Sequence, residues 1–200
     1  MKIYDISQEV FDCKVYPGDP KPQKEILGKI SKGDICNLTA FQMCAHNGTH
    51  VDAPYHFLEE GKTIDEIELK KVVGMAYVIK HDGVVTAEDA TKILNRAKQA
   101  NPSSAKRIII KGNAEVSEEA AAVFADAGIF LLGNESQTVG TENAPMKVHL
   151  KLLGEEVILL EGIRLSEVPE GVYLLNAAPL NLGGADGAPC RAILIDMEEA

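Results

Sequence analysis

Between Val72 and Gly133 apolar runs alternate with capped amphipathic stretches, and this alternation limits the fold more than any other feature of the chain. The run Val72-Val73-Gly74-Met75-Ala76-Tyr77-Val78-Ile79-Lys80 reads as a strand. Thr86-Ala87-Glu88-Asp89 then supplies a cap and an acidic first turn. Ala90, Ile93, Leu94 and Ala97 recur at helical spacing as far as Asn101-Pro102, which predicts a helix of about four turns. Arg107 to Lys111 forms a second apolar run, Ser117 to Gly128 a second capped helix ending at glycine, and Ile129 to Gly133 a third strand. Strand, helix, strand, helix, strand is the order of βαβ units, so the middle of the chain predicts strands joined by crossover helices. Both ends read mainly as β: residues 2 to 7 as a strand, and residues 25 to 45 as short antiparallel strands broken at Gly33-Asp34. Tyr16-Pro17-Gly18-Asp19-Pro20 is a loop, because two prolines and a glycine exclude regular structure. The expected architecture is a single α/β domain over residues 1–200, with a mixed sheet and flanking helices.

Size and composition limit the function classes. At 200 residues, 46% hydrophobic and 25% charged, the chain can bury a substantial core. A net charge of −10 argues against a nucleic-acid backbone or an anionic membrane surface as partner. No apolar run approaches the roughly 18 residues of a membrane span, and Met1 to Ser7 lacks the apolar segment of a signal peptide. Cys13, Cys36, Cys44 and Cys190 are scattered with no C-x-x-C pair, so a cytoplasmic protein is expected.

Three of the five histidines, His46, His50 and His56, fall within eleven residues together with Asp52. Imidazole and carboxylate are the usual protein ligands of zinc, manganese and iron, and three of them beside an open position make a catalytic metal site. Residues 46 and 50 would stand about 13 Å apart if extended at roughly 3.3 Å per residue, so the backbone must bend between them, which Gly48 permits. His50, Asp52 and His56 share one parity, and an extended stretch after His50 would point all three to one side. A polar surface loop is the competing interpretation of the same residues. His81, in Lys80-His81-Asp82-Gly83, reads as a turn residue.

The stretch His46-x-Gly48-Thr49-His50-x-Asp52-x-Pro54-x-His56-Phe57 is similar to the H-x-G-T-H-x-D-x-P-x-H motif of the cyclase-like metal hydrolases, the family that includes bacterial kynurenine formamidase and isatin hydrolase. Asp5-Ile6-Ser7, Tyr16-Pro17-Gly18-Asp19, Leu153 to Glu161 and Gly184 to Ala192 resemble further family segments. The resemblance implies a swivelling β/β/α fold and two more site residues, a histidine and, twelve positions later, a glutamate opening an E-G segment; His149 and Glu161-Gly162 match. It implies one or two divalent ions, zinc or manganese, on His46, His50, Asp52, His56, His149 and Glu161. His56 and Glu161 would serve proton transfer. The implied reaction is hydrolysis of an amide carbonyl, either an N-formyl arylamine or a cyclic amide, in a homodimer or homotetramer. A metal-dependent lyase or cyclase, or a small-ligand binding module, is the alternative. The loop 16 to 20 and the segment 181 to 191 are expected to flank the metal, with Tyr16, Pro17 and Arg191 the expected substrate contacts and a structural salt bridge the competing role for Arg191. Three departures weaken a kynurenine substrate: Tyr16 stands where formamidases commonly have tryptophan, Gly133-Asn134-Glu135-Ser136-Gln137 replaces their G-x-D-x-x-S pattern, and the loop after Lys111 is short.

Overall fold

In the computed structural model, residues 1–141 and 144–197 are described. The strands are β1 (Lys2–Asp5), β2 (Gln23–Gly28), β3 (Leu38–Gln42), β4 (His50–Asp52), β5 (Val73–Lys80), β6 (Gly83–Val85), β7 (Arg107–Lys111), β8 (Ala114–Val116), β9 (Leu131–Asn134), β10 (Ile158–Glu161), β11 (Gly171–Asn176), β12 (Gly187–Pro189) and β13 (Ile193–Asp196). The α-helices among the described residues are α1 (Ala87–Ala100), α2 (Glu118–Asp126) and α3 (Met146–Gly154).

Nine strands form one mixed sheet in the order β1-β13-β11-β5-β7-β9-β10-β4-β12. Its centre, β5-β7-β9-β10, is parallel, and both flanks are antiparallel. The parallel centre follows from the alternation in sequence, because a parallel pair needs a crossover of helical length. Thr86 caps α1 as its sequence predicts: its hydroxyl accepts from the Asp89 amide while the Asp89 carboxylate accepts from the Thr86 amide. Ser117 caps α2.

Side-chain alternation divides the interior into two layers. Ile108, Ile110, Leu132 and Leu159 face the helices and pack with Ile93, Phe124 and Leu152. Ile109, Leu131, Ile158 and Leu160 face the other way, toward Tyr4, Tyr173, Leu175 and Leu194, in a layer to which none of α1 to α3 contributes among the described residues. The molecule is thus a single-domain α/β structure with a large curled mixed sheet. The hairpin β2-β3 stands apart as a two-stranded sheet, with Ile26, Leu27, Ile30, Ile35, Leu38 and Phe41 exposed.

Candidate metal centre

The short strand β4 lies between β10 and β12, and its register brings the cluster together. His50 faces Glu161 on one side and Pro189 on the other, while Asp52 faces Leu159 and Gly187. His50 and Asp52, two apart on one strand, project to the same face. The turn at 45–48 adds His46, and the first turn of α3 adds His149. The expectation for His56 needs a correction. The extended backbone ends at Ala53, and Pro54 opens a 3-10 turn, Pro54–His56, that carries His56 to the site. Proline at the first position of such a turn has its fixed φ and loses no needed donor.

Two glycines permit the close approach of these segments. Gly48 (φ 67°) and Gly162 (φ 69°) are both left-handed, and a Cβ on Gly162 would lie 2.2 Å from the Gly48 carbonyl oxygen. The glycine after Glu161 therefore has a steric cause. Thr49 Oγ1 donates to the Gly162 carbonyl at 2.8 Å, and Gln8 Nε2 donates to the same oxygen at 2.7 Å.

His50, Asp52, His149 and Glu161 are at most 3% exposed. His50 Nε2 lies 3.3 Å from Asp52 Oδ1 and 3.5 Å from Glu161 Oε2; His149 Nε2 lies 3.3 Å from Glu161 Oε1 and 3.6 Å from Asp52 Oδ2. Behind each ring a backbone carbonyl fixes the orientation: His50 Nδ1 donates to Gly48 O at 3.0 Å and His149 Nδ1 to Pro145 O at 2.9 Å. Both Nε2 atoms are thereby turned toward the carboxylates, as the outer hydrogen bonds of metal-ligating histidines require. Glu161 Oε1 accepts from the Val139 amide at 2.8 Å.

Three groups of donors lie within mutual reach, each with ligand atoms inside 4.8 Å: the buried-side triads His46/His50/Asp52 and Asp52/His149/Glu161, which share Asp52, and an outer group, His46/His56/Asp186. Asp52 Oδ2 is buried without a hydrogen-bond partner. An orphaned carboxylate oxygen in a dry site costs free energy unless a cation meets it. The residues therefore fit a divalent ion.

Asp186 belongs to this centre, although no sequence signal singled it out as a ligand. Its Oδ2 accepts from His46 Nε2 at 2.8 Å and from His56 Nδ1 at 3.0 Å, while His46 Nδ1 donates to Asp52 Oδ1 at 2.8 Å. The one sign of it in sequence is the segment Gly184-Ala185-Asp186-Gly187, a carboxylate between glycines. Tyr16 and Asp19 line a cavity of about 280 Å3 over the cluster, together with Phe57, Gln137, Thr138 and Pro145. Pro17 is not among the lining residues. The structure does not bring Arg191 to this cavity: its guanidinium donates to Asp5 Oδ2, with Nε at 2.8 Å, and it borders a separate hollow.

Burial disfavours a charged ring at His46, but hydrogen bonds to Asp186 and Asp52 outweigh it and push the pKa up to about 11. At His50 burial is likewise overcome, by Asp52 and Glu161, and at His149 by Glu161; both rise to about 9. Burial raises the Asp52 carboxyl less than His46 and His50 lower it, and it stays well below the ordinary range. His46 and His56 hold Asp186 low. The raised imidazoles add stability that is complete below about pH 6.5, the unfolded value, and is lost as pH climbs through about 9 for His50 and His149 and about 11 for His46. The lowered carboxylates add stability that is present above about pH 4 and is lost as pH falls. Metal-free protein is thus expected to melt at progressively lower temperature from about pH 6.5 to about pH 9. Calorimetry in chelator would contradict this with a flat or rising transition. Cation binding must oppose the trend, because imidazoles ligate only after losing those protons.

A curled mixed α/β sheet whose edge strand carries a buried, carbonyl-braced histidine and carboxylate cluster defines the class as an α/β enzyme with a metal-binding centre. The comparisons with known proteins agree. Residues 4–141 match the family model described as "Putative cyclase". Kynurenine formamidase of Salinibacter ruber is 32% identical, covering 98% of each chain, and that of Erythrobacter litoralis 30%, covering all of this chain and 96% of its own. A solved structure described as a potential metal-dependent hydrolase with cyclase activity superposes with a TM-score of 0.79 at 28% identity, covering 96% of both chains. The chain belongs to this cyclase family.

Proposed function

We propose that this protein is a metal-dependent hydrolase that cleaves the amide carbonyl of a small aromatic substrate, an N-formyl arylamine or a cyclic amide. The observation that carries the reading is the pair of donor triads sharing Asp52 at the base of a cavity. A bound divalent ion, zinc or manganese by the donor chemistry, supplies Lewis acidity to a water and to a carbonyl oxygen. Two triads support two ions per chain, held by His46, His50 and Asp52 and by Asp52, His149 and Glu161. Glu161 is clamped by the Val139 amide and suits a fixed ligand role. His56 is more accessible, and its Nδ1 donates to Asp186, which leaves Nε2 as the basic nitrogen facing the reaction. It accepts a proton from the attacking water and returns it to the leaving nitrogen. Tyr16 and Phe57 give the cavity aromatic walls.

Purified protein is expected to release formate from N-formyl arylamines, or the ring-opened acid from cyclic amides, and to stop when chelated. Conversion without acid release would instead favour a lyase or cyclase, a reading supported by the cyclase activity ascribed to the solved relative. No conversion, with ligand retained unchanged, would leave a binding module.

We also propose a homodimer or homotetramer working in the cytoplasm. No helix among the described residues is long and apolar enough to cross a membrane, and all four cysteines are free, as a reducing compartment allows. A two-stranded hairpin is marginal in water by itself, and β2-β3 exposes six large apolar side chains. Light scattering should give the mass of two or four chains, and Phe41→Asp should lower it. A monomeric wild type would refute the assembly.

A further inference from the structure

We propose that Asp186 is a positioning residue that sets His46 and His56 as a unit over the metal centre. The proposal rests on the reading that this centre binds a divalent ion.

One oxygen, Asp186 Oδ2, accepts from both rings, at 2.8 Å from His46 Nε2 and 3.0 Å from His56 Nδ1. The two imidazoles lie stacked beneath it, with centroids 3.9 Å apart and planes 27° from parallel. Two free imidazoles have no strong reason to hold that arrangement in water, and a shared acceptor supplies one. His46 also reaches Asp52 Oδ1 through Nδ1 at 2.8 Å. A continuous chain of hydrogen bonds, Asp52 to His46 to Asp186 to His56, therefore joins the most buried carboxylate to the outermost histidine.

Asp186 is itself held by backbone. Its carbonyl accepts from the Ala53 amide at 3.0 Å, one step beyond the pairing of Gly187 with Asp52. The distance between Asp186 and β4 is thus fixed by strand register. Gly187 completes the arrangement, since a Cβ there would stand 2.7 Å from His46 Cε1 and 2.8 Å from the Val51 carbonyl oxygen. The bare glycine leaves the room that the His46 ring occupies beside β12.

With its side chain 42% exposed, Asp186 sits at the rim, whereas Asp52 at 1% sits at the base. That position suits an outer carboxylate that orients ligands. The same three groups, His46, His56 and Asp186, are also close enough to hold an ion among themselves, so a direct ligand role is the competing reading.

The test measures metal stoichiometry and metal dissociation constants by chelator competition, for wild type, Asp186→Asn and Asp186→Ala. Loss of an outer carboxylate typically weakens metal binding by about 10–100-fold. The expected result is that range for Asp186→Ala, with the number of ions per chain unchanged. Asp186→Asn should fall between Ala and wild type, because its amide oxygen can still accept one ring N–H. The visible spectrum of cobalt-substituted protein should shift in both variants, as the His46 ring turns. Affinity within about twofold of wild type in both variants, against the 10–100-fold loss expected of an outer carboxylate, would overturn the proposal. So would loss of one ion per chain, which would make Asp186 a ligand. If wild type itself takes up no ion, the metal reading has failed before any variant is made. Melting of the metal-free variants confirms that each folds.

Discussion

Asp52→Ala protein is expected to emerge from purification without bound transition metal and without hydrolytic activity. Asp52 is the one residue shared by both donor triads, and it touches three histidines: His46 at 2.8 Å, His50 at 3.3 Å and His149 at 3.6 Å. Its loss therefore damages both triads together, whereas loss of His50 or of Glu161 damages one. The kinetic consequence is large, because a catalytic ion brings the pKa of water from about 15.7 to about 7, roughly eight orders of magnitude or more in available hydroxide. Elemental analysis and turnover should both fall below detection. Retention of one ion per chain with measurable turnover would show that Asp52 does not bridge the two triads.

Metal removal is expected to produce the largest change in stability. A ligand present at about 1,000 times its Kd stabilises the folded state by about 4.1 kcal/mol. For a chain of this size each kcal/mol moves the midpoint by about 2–4 °C, so chelation should lower Tm by about 8–16 °C and readdition of zinc or manganese should restore it. The imidazoles and carboxylates of the cluster pair with one another, but Asp52 Oδ2 is buried without a hydrogen-bond partner, a need that a cation would meet. An unchanged Tm on chelation and reloading would mean that the cluster is a self-satisfied structural network.

The parts of this molecule that were legible in sequence are the local ones. The Thr86 cap depends on Asp89 three residues away, and the His46 to His56 group lies in eleven consecutive residues, so both could be read directly. The parallel centre of the sheet was legible because crossover helices leave a long periodic signature. Non-local chemistry was not legible. Asp186 meets His46 because β12 pairs with β4; the family resemblance placed the segment 181 to 191 beside the metal, but no local pattern marked Asp186 within it as the partner of the histidines. Arg191 shows the converse: its partner Asp5 is at the other end of the chain, brought beside it as β1 pairs with β13. Parity put His56 at the site by the wrong backbone path, since extended backbone does not continue through Pro54 and a 3-10 turn brings the ring there instead.

The placement of β4 also bears on how the centre comes into being. This three-residue strand carries His50 and Asp52, yet both of its neighbours, β10 and β12, lie over a hundred residues further along the chain. Contacts so distant in sequence form slowly, because a long loop must close before they are gained. On the ribosome the N-terminal ligands appear early and wait without partners until residues 158–189 have been made. A nascent chain holding His46, His50 and Asp52 thus carries one full donor triad in a single stretch, whereas the second triad waits for His149 and Glu161 and for the strand pairing that sets them against Asp52.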